Sequence, residues 1–288
     1  MGPVPPGLAR GQTCTRAMKS GDGSGRTRRR ADLLLVERGL CASRQQAARL
    51  ILAGKVRTGD RRVEKPGTFL PGDAPLAVAG PSHPFVSRGG VKLRHALEVF
   101  RLDPGGRVCL DVGASTGGFT DCLLQAGARL VIAVDVGYGQ LAARLRQDPR
   151  VRVLERTNIR SLDASRFPAR PDLATIDVSF ISLRLVLPAV LRLLDPPREI
   201  VALVKPQFEV GKGQVGRRGV VRDAALHRAV LERLAQTAAE LSLCVAGMAP
   251  SPLRGPMGNR EFLVHLTTGR TQADLPALIA DAIASAAA

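Results

Sequence analysis

Four charged residues, far apart in the chain, carry its most specific chemistry: Lys92, Asp177, Lys205 and Glu261. Two lysines and two carboxylates form a set suited to group transfer onto a hydroxyl. A sugar hydroxyl is a poor nucleophile until its proton is taken. A free lysine, with pKa about 10.4, is mostly protonated and cannot take that proton. Burial and a neighbouring cation lower its pKa. On this reading Lys205 deprotonates or orients the hydroxyl, and Lys92 is its charged neighbour. Asp177 orients Lys205 and faces the reacting centre, while Glu261 holds Lys92 or the substrate. Three of the four also have a plain alternative. Asp177 could cap a helix, Lys205 could be a surface charge before Pro206, and Glu261 could pair with Arg254 or Arg260.

The electrophile is suggested by Asp111-Val112-Gly113-Ala114-Ser115-Thr116-Gly117-Gly118-Phe119-Thr120. An apolar strand ends in an acid there, and a glycine turn leads into a helix. Glycines let backbone approach a ligand closely, and open α/β sheets bind ligands at the carboxyl ends of their strands. A second apolar strand ends in Asp135, where an acid can grip ribose hydroxyls. A nicotinamide cofactor fits this outline, but the turn is not G-x-G-x-x-G. The pattern Asp-x-Gly-x-x-x-Gly resembles the first motif of Rossmann-like methyltransferases, which implies S-adenosylmethionine. The expected cofactor contacts are Asp111, Gly113, Ser115, Thr116, Gly117, Gly118, Phe119, Asp135, Asn158 and Asp177. Amine methylation is disfavoured because Asp177-Val178-Ser179-Phe180 lacks the prolines of an Asn/Asp-Pro-Pro-aromatic motif. Carbon methylation is disfavoured because no cysteine falls at the ends of the fourth and fifth strands.

Elements must bring these residues together. Strands are predicted near 107–111, 130–135, 151–154, 173–177, 199–205, 241–248 and 261–267, with helices between most of them. Such alternation implies a Rossmann-like α/β domain with a seven-stranded, mostly parallel sheet covered on both faces. Lys92 falls in a helix leading into it, whose apolar positions are Leu93, Ala96, Leu97 and Phe100. Ahead of it, residues 28–78 suggest a small α+β unit. A helix over 31–38 has Leu33, Leu34 and Val36 inward. Ser43-Arg44-Gln45-Gln46 is a capping box opening a second helix with Ala47, Leu50 and Ile51 inward, stopped at Gly54. Gly59-Asp60 is a two-residue hairpin signal. Residues 1–27 are expected to be a disordered leader, 79–86 a linker, 87–270 the α/β domain and 271–288 a C-terminal helix or tail.

The net charge of +17 over 288 residues points to a polyanionic partner. Residues 1–90 carry 16 Lys/Arg against 6 Asp/Glu and residues 91–288 carry 26 against 19, so the first third is the better grip. Arg44, Gln45, Arg49, Lys55, Arg57, Arg61 and Arg62 form a basic surface, either a solvated face or, as the S4 resemblance given below implies, an RNA-binding phosphate grip with little sequence choice. The five cysteines form no C-x-x-C pair, so no metal site or disulfide scaffold is expected, and free thiols suit a reducing cytoplasm. No apolar run reaches the ~18–20 residues that span a bilayer.

With these motifs in place, the chain resembles the TlyA family, which joins an S4 RNA-binding domain to an FtsJ-like methyltransferase domain. Lys92, Asp177, Lys205 and Glu261 resemble the K-D-K-E tetrad of FtsJ-like ribose 2′-O-methyltransferases. The S4 resemblance rests on Ser43-Arg44-Gln45-Gln46-Ala47, Ile51 and Gly54-Lys55-Val56. The phrases Ser87-Arg88-Gly89-Gly90-Val91-Lys92-Leu93 and Val204-Lys205-Pro206-Gln207-Phe208-Glu209 extend the likeness to the catalytic domain. The resemblance implies S-adenosylmethionine-dependent 2′-O-methylation of cytidine in 16S rRNA, 23S rRNA or both, by a cytoplasmic monomer acting on ribosomal subunits. The scattered cysteines and the lack of a long apolar run lead to the expectation of no metal and no stable membrane association. The family has also been called haemolysin, so a membrane-active protein is one rival; an RNA-binding protein without catalysis is another. The loop 209–219, glycine-rich and basic, is placed beside the reacting centre and is not a P-loop.

Overall fold

The run Val108-Cys109-Leu110-Asp111-Val112 shows no alternation of polar and apolar residues because both faces of this strand are buried. The computed structural model describes residues 27–41, 43–79, 83–211, 213–216, 219–255, 257–269 and 274–287. The expected leader therefore lies, apart from Thr27, outside the described residues. Two units are distinguished, Met1–Ser82 and His83–Ala288.

The second unit runs α3 (Gly89–Phe100), β6 (Val108–Val112), α4 (Gly118–Gln125), β7 (Leu130–Val134), α5 (Ala143–Arg146), β8 (Val151–Leu154), β9 (Leu173–Ile176), α6 (Leu183–Leu193), β10 (Glu199–Val204), α7 (Pro206–Glu209), α8 (Ala224–Glu240), β11 (Cys244–Pro250), β12 (Phe262–Thr267) and α9 (Leu275–Ala287). The sheet order is β11-β12-β10-β9-β6-β7-β8. From β8 to β10 all neighbours are parallel; β12 lies antiparallel between β10 and β11. The seven-stranded, mostly parallel sheet is thus as expected, with each strand within three residues of its predicted start.

Side chains alternate across the sheet, which divides the core. Val108, Leu110 and Val112 pack with α6, α8 and α9, whereas Cys109 packs with α3 and α4 on the other face. Each fully buried aliphatic side chain here contributes about 1.5–3 kcal/mol. Helix α9 buries Ile279 and Ala282 in the first of these layers. No helix among the described residues is long and apolar enough to cross a membrane. From β6 the chain moves outward to β7 and β8, then returns to place β9 on the opposite side of β6. The connections diverge at β6 and β9, which opens a crevice at their carboxyl ends.

The first unit contains β1 (Arg28–Arg30), α1 (Ala31–Glu37), α2 (Arg44–Leu52), β2 (Val56–Thr58), β3 (Arg61–Arg62), β4 (Phe69–Pro71) and β5 (Leu76–Val78). Ser43 Oγ accepts from the Gln46 N–H at 3.2 Å, capping α2. Gly54 ends that helix with φ +70°, and a Cβ there would also strike the Arg62 guanidinium. Thr58 pairs with Arg61 across the Gly59-Asp60 turn. Two expectations need correction. In α1 the buried residues are Ala31, Asp32, Leu34 and Leu35, with Leu33 and Val36 only half-buried. The helix starts directly from β1, and that junction sets its phase. The linker is also shorter than composition suggests: Phe85 is buried in the second unit's core, and the Val86 N–H donates to Asp121 Oδ2 at 2.7 Å.

Candidate active site

At the carboxyl ends of β6, β9 and β10 lies a cleft of about 800 Å³. Lys92, Asp177, Lys205 and Glu261 all line it. Lys92 projects from the second turn of α3, Asp177 follows β9, Lys205 follows β10 and Glu261 precedes β12. The lysines and acids meet in two couples. Lys205 Nζ lies 2.6 Å from Asp177 Oδ1 and donates to Ser179 Oγ at 2.9 Å. Lys92 Nζ donates to Glu261 Oε2 across 169 residues of sequence. The Glu261 side chain is 1% exposed and that of Lys92 11%. An acid this enclosed needs its cation, since an unpaired buried charge is costly.

The glycine turn forms another wall. Gly113, Ser115, Thr116, Gly118 and Phe119 line the cleft; Asp111, Gly117, Asp135 and Asn158 do not. Glycine is required here by protein packing as well as by ligand access. A Cβ on Gly113 would sit 2.5 Å from the Asp177 carbonyl oxygen, at φ +85°. One on Gly118 would sit 2.2 Å from Ser87 Oγ. These glycines let the turn lie against both the Asp177 segment and the start of α3. Asp111 is fully buried and accepts from Thr120 Oγ1 at 2.6 Å and Thr175 Oγ1 at 3.3 Å. Burial pushes its carboxyl up to about 7 against those hydrogen bonds. Asp111 thus braces the turn from below, out of reach of a ligand in the cleft.

Asp135 accepts from the backbone N–H of Ser115 at 2.7 Å and of Gly137 at 2.6 Å. A carboxylate has further lone pairs, so it can still accept from a ribose. Asn158 caps a short 3₁₀ turn by accepting from the Arg160 N–H at 3.0 Å, the plain role for a loop asparagine. Cys109 and Cys122 are buried, and desolvation pushes both thiols up to about 12, far from a thiolate.

Several cleft residues escaped the sequence reading. Arg88 and Ser87 line it from the start of α3, within a phrase that had drawn notice for Lys92. Phe180, 90% exposed at φ +63°, stands 5.0 Å from Phe208 between ring centroids. Asn259 lines the cleft while accepting from the Val221 N–H at 2.9 Å and donating to the Gly219 carbonyl at 2.8 Å, anchoring the exit of the 209–219 loop. Residues 212, 217 and 218 of that loop lie outside the described residues. Glu209 accepts from Ser182 Oγ at 2.6 Å and the Leu183 N–H at 2.8 Å, and burial raises its pKa. It ties the segment carrying Lys205 to the segment carrying Asp177. No local pattern marks a clamp of that kind.

In the first unit, Arg44, Gln45, Arg49, Arg57, Arg61 and Arg62 are exposed and Lys55 is half-buried. Arg44 lies 3.3 Å from the buried Asp32, which also receives Arg30 at 2.9 Å. Those arginines hold the Asp32 carboxyl below the usual carboxylate range.

The FtsJ-like methyltransferase family matches residues 85–268, and the S4 domain matches residues 29–74. The chain is 52% identical over 248 residues to the 16S/23S rRNA (cytidine-2′-O)-methyltransferase TlyA of Mycobacterium tuberculosis, covering 86% of this chain and 91% of that protein. It is 35% identical over 237 residues to Hemolysin A of Brachyspira hyodysenteriae, covering 82% and 98%. A solved structure from Streptococcus thermophilus, named as a hemolysin, shares 44% identity, superposes with a TM-score of 0.73 and covers 91% of this chain and 97% of its own.

Proposed function

The chain belongs to the TlyA family of FtsJ-like methyltransferases, and on that premise we propose that it methylates the ribose 2′-hydroxyl of a cytidine in ribosomal RNA, with S-adenosylmethionine as donor. One observation carries the reading: both lysine–acid couples and the glycine turn line a single cleft. The cleft volume is within the range of cofactor pockets. The turn presents Gly113 and Gly118, together with Ser115, Thr116 and Phe119, where the donor would lie.

When bound, S-adenosylmethionine supplies an electrophilic methyl group on a positively charged sulfur. Gly113, Ser115, Thr116, Gly118 and Phe119 would cradle it, with Asp135 at its ribose; Asp111 and Gly117 would support the turn and Asn158 its far rim. Asp177 stands between this wall and Lys205. Its carboxylate holds the Lys205 ammonium and would add negative potential to the wall facing the donor's positive sulfur. The Lys205 ammonium then orients the 2′-hydroxyl, whose proton passes to solvent as the oxygen–methyl bond forms and the methyl–sulfur bond breaks. Lys92, fixed by Glu261, sets a second positive charge beside the developing oxyanion. Arg44, Gln45, Arg49, Lys55, Arg57, Arg61 and Arg62 would grip rRNA phosphates, giving affinity to the enzyme of the second unit. The enzyme would act as a cytoplasmic monomer on ribosomal subunits, without a metal ion.

The test is transfer of labelled methyl to purified 30S and 50S particles, followed by mapping of the modified nucleotide. Label at a cytidine 2′-oxygen is the expected result. Absence of transfer to either particle, with dye release from liposomes by the same protein, would favour the membrane-active rival. Undetectable S-adenosylmethionine binding by calorimetry would favour an RNA-binding protein without catalysis.

A further inference from the structure

Gln207 lines the cleft, and its Oε1 is enclosed without a hydrogen-bond partner among the described residues. Buried amide oxygens are nearly always paired, and leaving one unpaired is costly. That oxygen is closed to solvent, so it finds a partner when the flexible Gln207 side chain turns it into the cleft, where a ligand's donor can pair with it. Its position says which ligand. Gln207 sits on α7, two residues after Lys205 and beside Phe208, whose ring meets Phe180. This wall follows β10, and β9 separates β10 from β6 and its glycine turn. The donor's adenosine end belongs at β6 and β7, where Asp135 stands. The Gln207 wall is thus the substrate's side.

The substrate nucleotide carries its base on C1′, next to the C2′ whose hydroxyl meets Lys205. Cytosine presents an exocyclic amino donor at N4, where uracil presents an acceptor oxygen. Oxygen against oxygen cannot pair. Building on the proposed ribose methylation, we propose that Gln207 is a specificity-determining residue: its Oε1 accepts from the cytosine N4 amino group and selects cytidine over uridine.

The experiment uses subunits reconstituted from rRNA transcripts carrying cytidine or uridine at the mapped position. The readout is the ratio of kcat/KM between the two, so a general loss of activity cancels. The wild-type enzyme should favour cytidine. Gln207→Leu should lower that ratio about tenfold or more, while the S-adenosylmethionine Kd from calorimetry stays within about twofold of wild type, which also certifies the fold. Gln207→Glu should keep or raise the ratio, because a carboxylate only accepts whereas a carboxamide can turn and donate to uracil O4. An unchanged ratio in Gln207→Leu overturns the proposal. So does a weakened cofactor Kd with an unchanged ratio, which would assign Gln207 to the donor's amino group. If the wild-type protein methylates no ribose, the functional reading itself fails; an active wild type with an indifferent Gln207→Leu sinks only the assignment to this residue.

Discussion

The two units use charge in opposite ways. In the first, arginines on α2 and the β2–β3 hairpin stand in solvent, where each salt bridge is worth little and a polyanion can displace water. In the cleft of the second, lysines are enclosed and each already holds an acid. The contrast recurs in one buried aspartate of each unit. Asp32 is met by Arg30 and Arg44, and its carboxyl is held low. Among the described residues Asp111 is met by two hydroxyls and no cation, and burial drives it up to about 7. Burial sets the cost of a charge, and the partner decides whether the group stays ionised.

The largest expected effect breaks the cleft side of this contrast. Lys205→Ala should lower methyl transfer by about 10²–10⁴-fold while cofactor binding stays near normal; a variant with full activity refutes the role of Lys205. Next, Lys92→Ala should destabilise the second unit by about 3–5 kcal/mol, because Glu261 is left buried and alone. The double variant Lys92→Met with Glu261→Leu should regain most of that stability in denaturant titration and remain inactive. Equal instability of single and double variants would show that the couple is not what matters.

The open side is tested by salt. Arg49→Ala, Arg57→Ala and Arg61→Ala should each weaken rRNA binding and reduce the log–log salt slope by about 0.7–0.9, with no change in kcat at saturating RNA. Unchanged slopes would remove these residues from the phosphate grip. The smallest effect sharpens the aspartate pair. Because Asp111 binds its proton more tightly folded than unfolded, its contribution should weaken the second unit as pH rises from about 4 to about 7. Asp111→Asn should flatten that slope in hydrogen exchange. The contribution of Asp32 has the opposite sign: it is present above about pH 4 and lost as acid titrates through the lowered folded value. If acid moved both units in the same direction through these residues, the contrast would fail.

Much of this was legible in the chain itself. Seven strands, the Ser43 cap, the Gly54 stop and the Gly59-Asp60 hairpin all follow from local rules: apolar runs, capping side chains and glycine at positive φ. These need no distant partner, so sequence alone determines them. It also determined the residue types at the strand ends, and thereby the chemistry to look for. What it left open was pairing across distance. The ladder of Arg28–Arg30 with Phe69–Pro71 joins three arginines to a segment about 40 residues away, and no periodicity announces it. The insertion of β12 between β10 and β11 is what carries Glu261 to Lys92. The Glu209 clamp, the unpaired Gln207 oxygen and the bracing role of Asp111 likewise exist only once segments close on one another. Local pattern fixes which element a residue joins. Which charge it meets, and how deeply it is buried when they meet, is decided by the packing of the sheet.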